Sequence, residues 1–117
     1  LKIVDTVMHS TTQFISNPNA MNDIGKRQDI ENLLTLMQSV INGRERVLLE
    51  MNCGNDKIEA IVELLPCMRY PTVSKLYQDK GFAVKAAVKK SEIRDLIPKL
   101  IAAGATDILE TAIRKAI

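Results

Sequence analysis

Tryptophan is absent from this chain of 117 residues, and aromatic side chains make up only 3% of it. Single-strand and RNA binders hold bases on aromatic platforms, so this scarcity counts against that class. Charge of one sign is also lacking. The 16 basic and 14 acidic side chains leave a formal net charge of +2, no footprint for nucleic acid or an anionic membrane. No apolar run approaches the roughly 18 residues of a membrane span, and no signal-peptide pattern opens the chain. Cysteine is limited to Cys53 and Cys67, too few and too far apart for a zinc motif or a disulfide framework. Reduced thiols and a cytoplasmic setting are the expectation. Histidine occurs once, at His9, with no local partner, and reads as a surface or interface residue. A glycine-rich phosphate loop, a nucleophile elbow and metal-ligand spacing are all missing, so no catalytic or metal-binding residue is assigned. The first residue is Leu1 rather than Met, which suggests a piece of something longer.

What is present is ordinary for a globular protein: 46% hydrophobic and 26% charged residues, with the core left to Leu, Ile, Val, Ala and Met. Residues 46–112 read as one unit written twice. Arg46–Asn52 has the alternation of a strand, Asp56–Leu65 the spacing of a helix, and Thr72–Gln78 is a second strand. Phe82–Val88, Glu92–Ala103 and Asp107–Ala112 repeat the order strand, helix, strand. Two βαβ units in tandem predict an α+β, ferredoxin-like βαββαβ sandwich, with four antiparallel strands and two helices on one face.

Side-chain alternation assigns the faces. Val47, Leu49 and Met51 lie on one side of the first strand, Leu48, Glu50 and Asn52 on the other. In the third strand Phe82, Val84, Ala86 and Val88 should meet the helices, leaving Ala83, Lys85 and Ala87 on the open face. Short side chains there let something lie close to the backbone, either another sheet or a ligand. The helical stripes are Ile58, Ile61, Val62 and Leu65, and Ile93, Leu96, Ile97, Leu100 and Ile101. Asn55 and Ser91 are expected as N-caps, Pro66 as a stop, and Pro98 as a helix-interior bend. Thr72 offers a hydroxyl at the mouth of its strand or a bond to its own backbone.

The first 45 residues differ in character. Ile3–Ile15 is rich in β-branched residues and reads as a long strand with mixed faces, ended by a turn cluster at Ser16–Ala20. Lys26–Asn42 predicts an amphipathic helix with Ile30, Leu33, Leu34, Met37, Val40 and Ile41 on one stripe and an Arg27–Glu31 pair. Gly43 is expected as a left-handed terminator and Asn42–Glu45 as a hinge. These residues alone carry the reading to an oligomeric ferredoxin-like module, preceded by a strand and a helix, that binds something small.

Three strings go further. Val47-Leu-Leu-Glu-Met-Asn52, Leu65-Pro-Cys-Met-Arg-Tyr-Pro-Thr-Val-Ser74 and Leu96-Ile-Pro-Lys-Leu-Ile-Ala-Ala-Gly-Ala-Thr-Asp-Ile-Leu109 resemble the C-terminal regulatory domain of long-form ATP phosphoribosyltransferases. Residues 1–43 resemble the end of that family's catalytic region, and 44–117 its ferredoxin-like histidine-binding domain. The resemblance implies a parent glycosyltransferase that joins ATP to phosphoribosyl pyrophosphate with Mg²⁺ in the first step of histidine biosynthesis. Its phosphate-binding loop lies upstream of this stretch, so this stretch should not catalyse alone. The resemblance further implies histidine as feedback inhibitor, bound between subunits of a homo-oligomer (dimer or hexamer). Carried over, Asn52 and Thr72 would be polar contacts, and Met68, Ala87 and the turn at Asp107 would wall the site. Some relatives carry an acid where Asn52 stands; Glu50 is a nearby carboxylate that could compensate. Two other readings remain on the residues alone: a free-standing module that binds another small metabolite, and a structural oligomerisation domain.

Overall fold

Alternation governs the strand Arg46–Cys53 (β1), where Val47, Leu49, Met51 and Cys53 are buried and the residues between them are not. In the computed structural model, which describes residues 1–117, β1 is central. It pairs antiparallel with Phe82–Lys89 (β3) on one side and with Thr106–Ala112 (β4) on the other. Thr72–Lys75 (β2) adds to the far edge of β3, giving the order β2-β3-β1-β4. This is the antiparallel sheet of a ferredoxin-like α+β fold, as the doubled unit predicts. The helices Ile58–Leu64 (α3) and Lys90–Ala102 (α4) cover one face. Val47, Leu49, Met51, Val84, Ala86 and Val88 from the sheet pack there with Ile61, Leu65, Leu96 and Leu100. Removing this aliphatic surface from water, at about 25 cal/mol per Å², is what holds the layers together.

Backbone details refine the expected boundaries. Strand β2 stops at Lys75 rather than Gln78, because Gln78 and Asp79 adopt positive φ (57° and 52°) and turn the chain. The hairpin closes where Leu76 N–H donates to the Gly81 carbonyl at 2.9 Å. Gly81 has φ 138°, and a Cβ there would overlap the Cys53 carbonyl oxygen, so only glycine fits. Asn55 is not a helix cap: α3 begins at Ile58 behind Lys57, and the Asn55 amide donates to the Asp79 carbonyl at 3.0 Å, pinning the hairpin. Ser91 is not a cap either, since α4 already starts at Lys90. That helix runs through Pro98, which removes the donor to the Arg94 carbonyl; both residues are exposed, so water can replace it. Of its expected stripe, Leu96 and Leu100 are buried, whereas Ile101 is exposed. Gly104, with φ 101°, ends it.

The chain divides into two compact units, Leu1–Leu34 and Thr35–Ile117. In the first, residues 1–17 form no strand. A strand exists through its pairing partners, and the β-branched run 3–15 has none in this chain. The expected turn at Ser16–Ala20 is instead the start of a short helix, Pro18–Asn22 (α1). Asn17 Oδ1 accepts from the Asn19 N–H, and Pro18 stands in the first turn. Asp23 Oδ1 then accepts from Lys26 N–H at the head of Ile24–Arg44 (α2). Arg27 and Glu31 form the expected pair at 2.8 Å.

Helix α2 departs from its expected amphipathic role. Leu33, Leu34, Met37 and Ile41 are exposed, and what the helix buries is Ser39 and Gly43. Small residues four apart make a shallow strip on which residues 114–116 lie. Ala116 N–H donates to the Ser39 carbonyl at 2.8 Å, and the Asn42 amide donates to the Ala116 carbonyl at 3.3 Å. Gly43 is therefore no terminator, and it lies inside the helix rather than in a loop. The helix continues through Arg44 and passes into β1 with one intervening residue.

Two measurements check this picture. In Gly43→Ala the new Cβ would meet the Arg114 carbonyl oxygen at 2.7 Å and Lys115 N at 2.8 Å. Overpacking of about 1–3 kcal/mol should outweigh the roughly 0.5–1 kcal/mol of helix propensity gained. The expected result is a lower unfolding midpoint with faster amide exchange at Ala116; undiminished protection there would contradict the packing. Second, burial pushes the Cys53 thiol up, with the Asp56 carboxylate adding to the shift. Cys67, only partly buried, should react with a thiol reagent well before Cys53, and both should react once the chain is unfolded.

Candidate functional site

The sheet face away from the helices is uncovered, and strand register arranges its side chains in rows. Thr72, Lys85, Glu50 and Leu109 stand side by side across all four strands, and Ser74, Ala83 and Asn52 form the row beside them. Ala87, Leu48 and Thr111 make the row on the other side. The alternation that fills the core thus also sets out this face.

One irregularity shapes it. Between Glu50 and Asn52 the register with β4 slips, and Asp107 takes φ 50°. This is a bulge with its extra residue in the left-handed region, where aspartate is among the few tolerated side chains. Asn52 Nδ2 donates to Asp107 Oδ2 at 3.1 Å. With Nδ2 so engaged, Oδ1 of the amide remains to accept from a ligand. Thr106 Oγ1 lies 3.4 Å from the Asn52 carbonyl and 3.3 Å from Asp107 Oδ2, and its single proton can serve either. Lys85 Nζ and Glu50 Oε1 are 2.8 Å apart, with the two side chains 51% and 38% exposed.

Two clefts open on this face. The first, about 330 Å³, is lined by Glu50, Asn52, Thr72, Ser74, Ala83, Lys85, Asp107 and Leu109 with the backbone beneath them. The second, about 600 Å³, is lined by Leu48, Met68, Arg69, Tyr70, Ala87 and Ile117 among others, and shares Thr72 and Lys85 with the first. Of the residues the sequence singles out, Asn52, Thr72 and Asp107 come together in the first cleft. Met68 and Ala87 line the second, joined to the others only through Thr72. Ser74 and Leu109 escaped sequence reasoning. Ser74 could have been found by counting two residues on from Thr72, whereas Leu109 depends on the bulge, which leaves no mark in the pattern. No three His, Cys, Asp or Glu side chains converge anywhere, and no helix is long and apolar enough to cross a membrane.

The geometry suits a small polar ligand with hydrogen-bonding groups of both kinds. Because the Lys85–Glu50 pair is partly exposed, its coupling should be small. A double-mutant cycle with Lys85→Met and Glu50→Gln, read by denaturant unfolding, should give about 0.2–1 kcal/mol. A coupling several times larger would mean that the pair is a structural clamp.

Residues 43–115 match the protein family described as HisG, C-terminal domain. Across its whole length the chain is 38% identical to the ATP phosphoribosyltransferase of Pelotomaculum thermopropionicum, of which it covers 40%. It is 39% identical over its whole length to that of Pelodictyon phaeoclathratiforme, again covering 40% of the relative. To the enzyme of Methanocaldococcus jannaschii it is 40% identical over 116 residues, 98% of this chain and 40% of the other. The chain thus spans about 40% of the length of these relatives.

Proposed function

The chain belongs to the HisG C-terminal domain family, and from that premise we propose that it is the effector-binding part of an ATP phosphoribosyltransferase, with histidine as the ligand of its open sheet face. What supports this reading is that Asn52, Thr72 and Asp107 share one cleft, with the Asn52 amide oriented by Asp107 at 3.1 Å. A free Oδ1, a threonine hydroxyl and a carboxylate are acceptors for the imidazole and ammonium hydrogens of histidine. Met68 and Ala87 add apolar wall in the adjoining cleft. The clefts are shallow and open, so closure by a second copy of the chain, in a dimer or hexamer, completes the pocket. The condensation of ATP with phosphoribosyl pyrophosphate belongs to the rest of the protein, in the cytoplasm. The Mg²⁺ of that reaction is assigned to that part too. A free-standing module for a different metabolite is disfavoured by the family match, which covers most of the chain.

Binding to the folded state raises stability by RT ln(1 + [L]/Kd). Histidine at about 100 times its Kd should add about 2.7 kcal/mol and raise the melting temperature by several degrees. Thr72→Val and Asn52→Leu should each weaken the response about tenfold or more in ligand concentration, the loss of one or two bonds to a polar ligand. A melting curve of the assembled protein unmoved by millimolar histidine would refute the assignment.

A further inference from the structure

We propose that the Lys85–Glu50 ion pair is the ligand-reading switch of this face: it opens on binding, Lys85 turning to the carboxylate and Glu50 to the ammonium of an α-amino acid. The proposal rests on the reading of the face as an effector site and adds to it which chemical groups are selected and by what.

Position is the first observation. The pair lies in the row Thr72–Lys85–Glu50–Leu109, and Lys85 with Thr72 is what the two clefts have in common. A ligand that occupies both clefts passes over the boundary that Thr72 and Lys85 form between them. The second observation is charge. The acidic side chains Glu50 and Asp107 line the first cleft only, Arg69 lines the second only, and Lys85 lines both. Neither Asp107 nor Arg69 forms an ion pair, so the face is polarised, acidic toward β4 and basic toward β2. A dipolar ligand is oriented by that polarity, its cationic groups over Glu50 and Asn52 and its carboxylate toward Lys85 and Arg69.

The third observation is how loosely the pair is held. Both side chains are more than a third exposed, and their only ion-pair partners are each other. Opening them leaves two unsatisfied charges, and an α-amino acid brings the complement of both on one carbon. One protein ion pair is then exchanged for two between protein and ligand. A ligand with a single charge satisfies one partner and strands the other in a cleft it has partly desolvated. Discrimination therefore comes from the penalty on incomplete ligands as much as from attraction to the complete one.

The experiment is calorimetric titration of the full chain in its native assembly with histidine, histamine (no carboxylate) and imidazolepropionate (no ammonium). The wild type should prefer histidine to either analogue by about 10- to 100-fold. Lys85→Met should remove that preference against histamine, lowering histidine affinity by about the same factor while histamine binds at least as well as before. Glu50→Gln should do the same against imidazolepropionate, and Lys85→Arg should keep the wild-type order. Equal losses for histidine and histamine in Lys85→Met, or unchanged histidine affinity, would overturn the switch while leaving the effector site standing. If the wild type binds none of the three ligands, both the switch and the effector reading fail together.

Discussion

Strand β1 carries two obligations at once, and its period of two is what reconciles them. Every second residue from Val47 to Cys53 is buried against α3 and α4, and the residues between them floor the uncovered face. Because β1 is bonded on both edges, its register fixes the positions of β3 and β4 beside it. A slip of one residue would exchange Leu49 for Glu50 in the core and remove Asn52 from the cleft. The aliphatic core and the polar face are therefore one specification read from two sides. The cleft is held in place by hydrophobic burial on the opposite face of the strands that floor it.

The repeated strand–helix–strand order was legible because Val, Ile and Ala at alternate positions, and aliphatic residues at helical spacing, are local signals. Residues 46–53 and 82–89 fall within a residue of their expected ends. Pairing is not local, and there the reading failed. Ile3–Ile15 has the composition of a strand, yet composition cannot supply the second strand. The aliphatic side chains of α2 have helical spacing, yet the face the chain covers is the small-residue strip of Ser39 and Gly43. Gly43 looked like a terminator because glycine does that work most often; its actual task, admitting the backbone of residues 114 and 115, is invisible until those residues are brought near. Asn55 is a similar case, with a side chain suited to a cap engaged instead with a hairpin 24 residues away.

The candidate site shows the same division. Face assignment by alternation was enough to gather Glu50, Asn52, Ala83, Lys85 and Ala87 on one surface. What it could not show was that two clefts, rather than one, divide the expected residues. Nor could it show the ion pair at their junction, since that depends on which residue of β3 lies opposite Glu50. The difference in charge between the clefts follows from Arg69, which sits in a connection whose path no periodicity describes.

The bulge at Asp107 has a consequence for how this face can change. Its backbone occupies a region that most side chains enter only with strain, of order 1–3 kcal/mol. Aspartate, asparagine and glycine are the economical occupants, and only the first keeps a carboxylate against Asn52. Chain geometry at that corner therefore narrows the exchanges open to drift before any demand from a bound molecule is considered. Asn52 sits in regular strand and bears no such restriction, so variation in recognition should accumulate on its side of the hydrogen bond first.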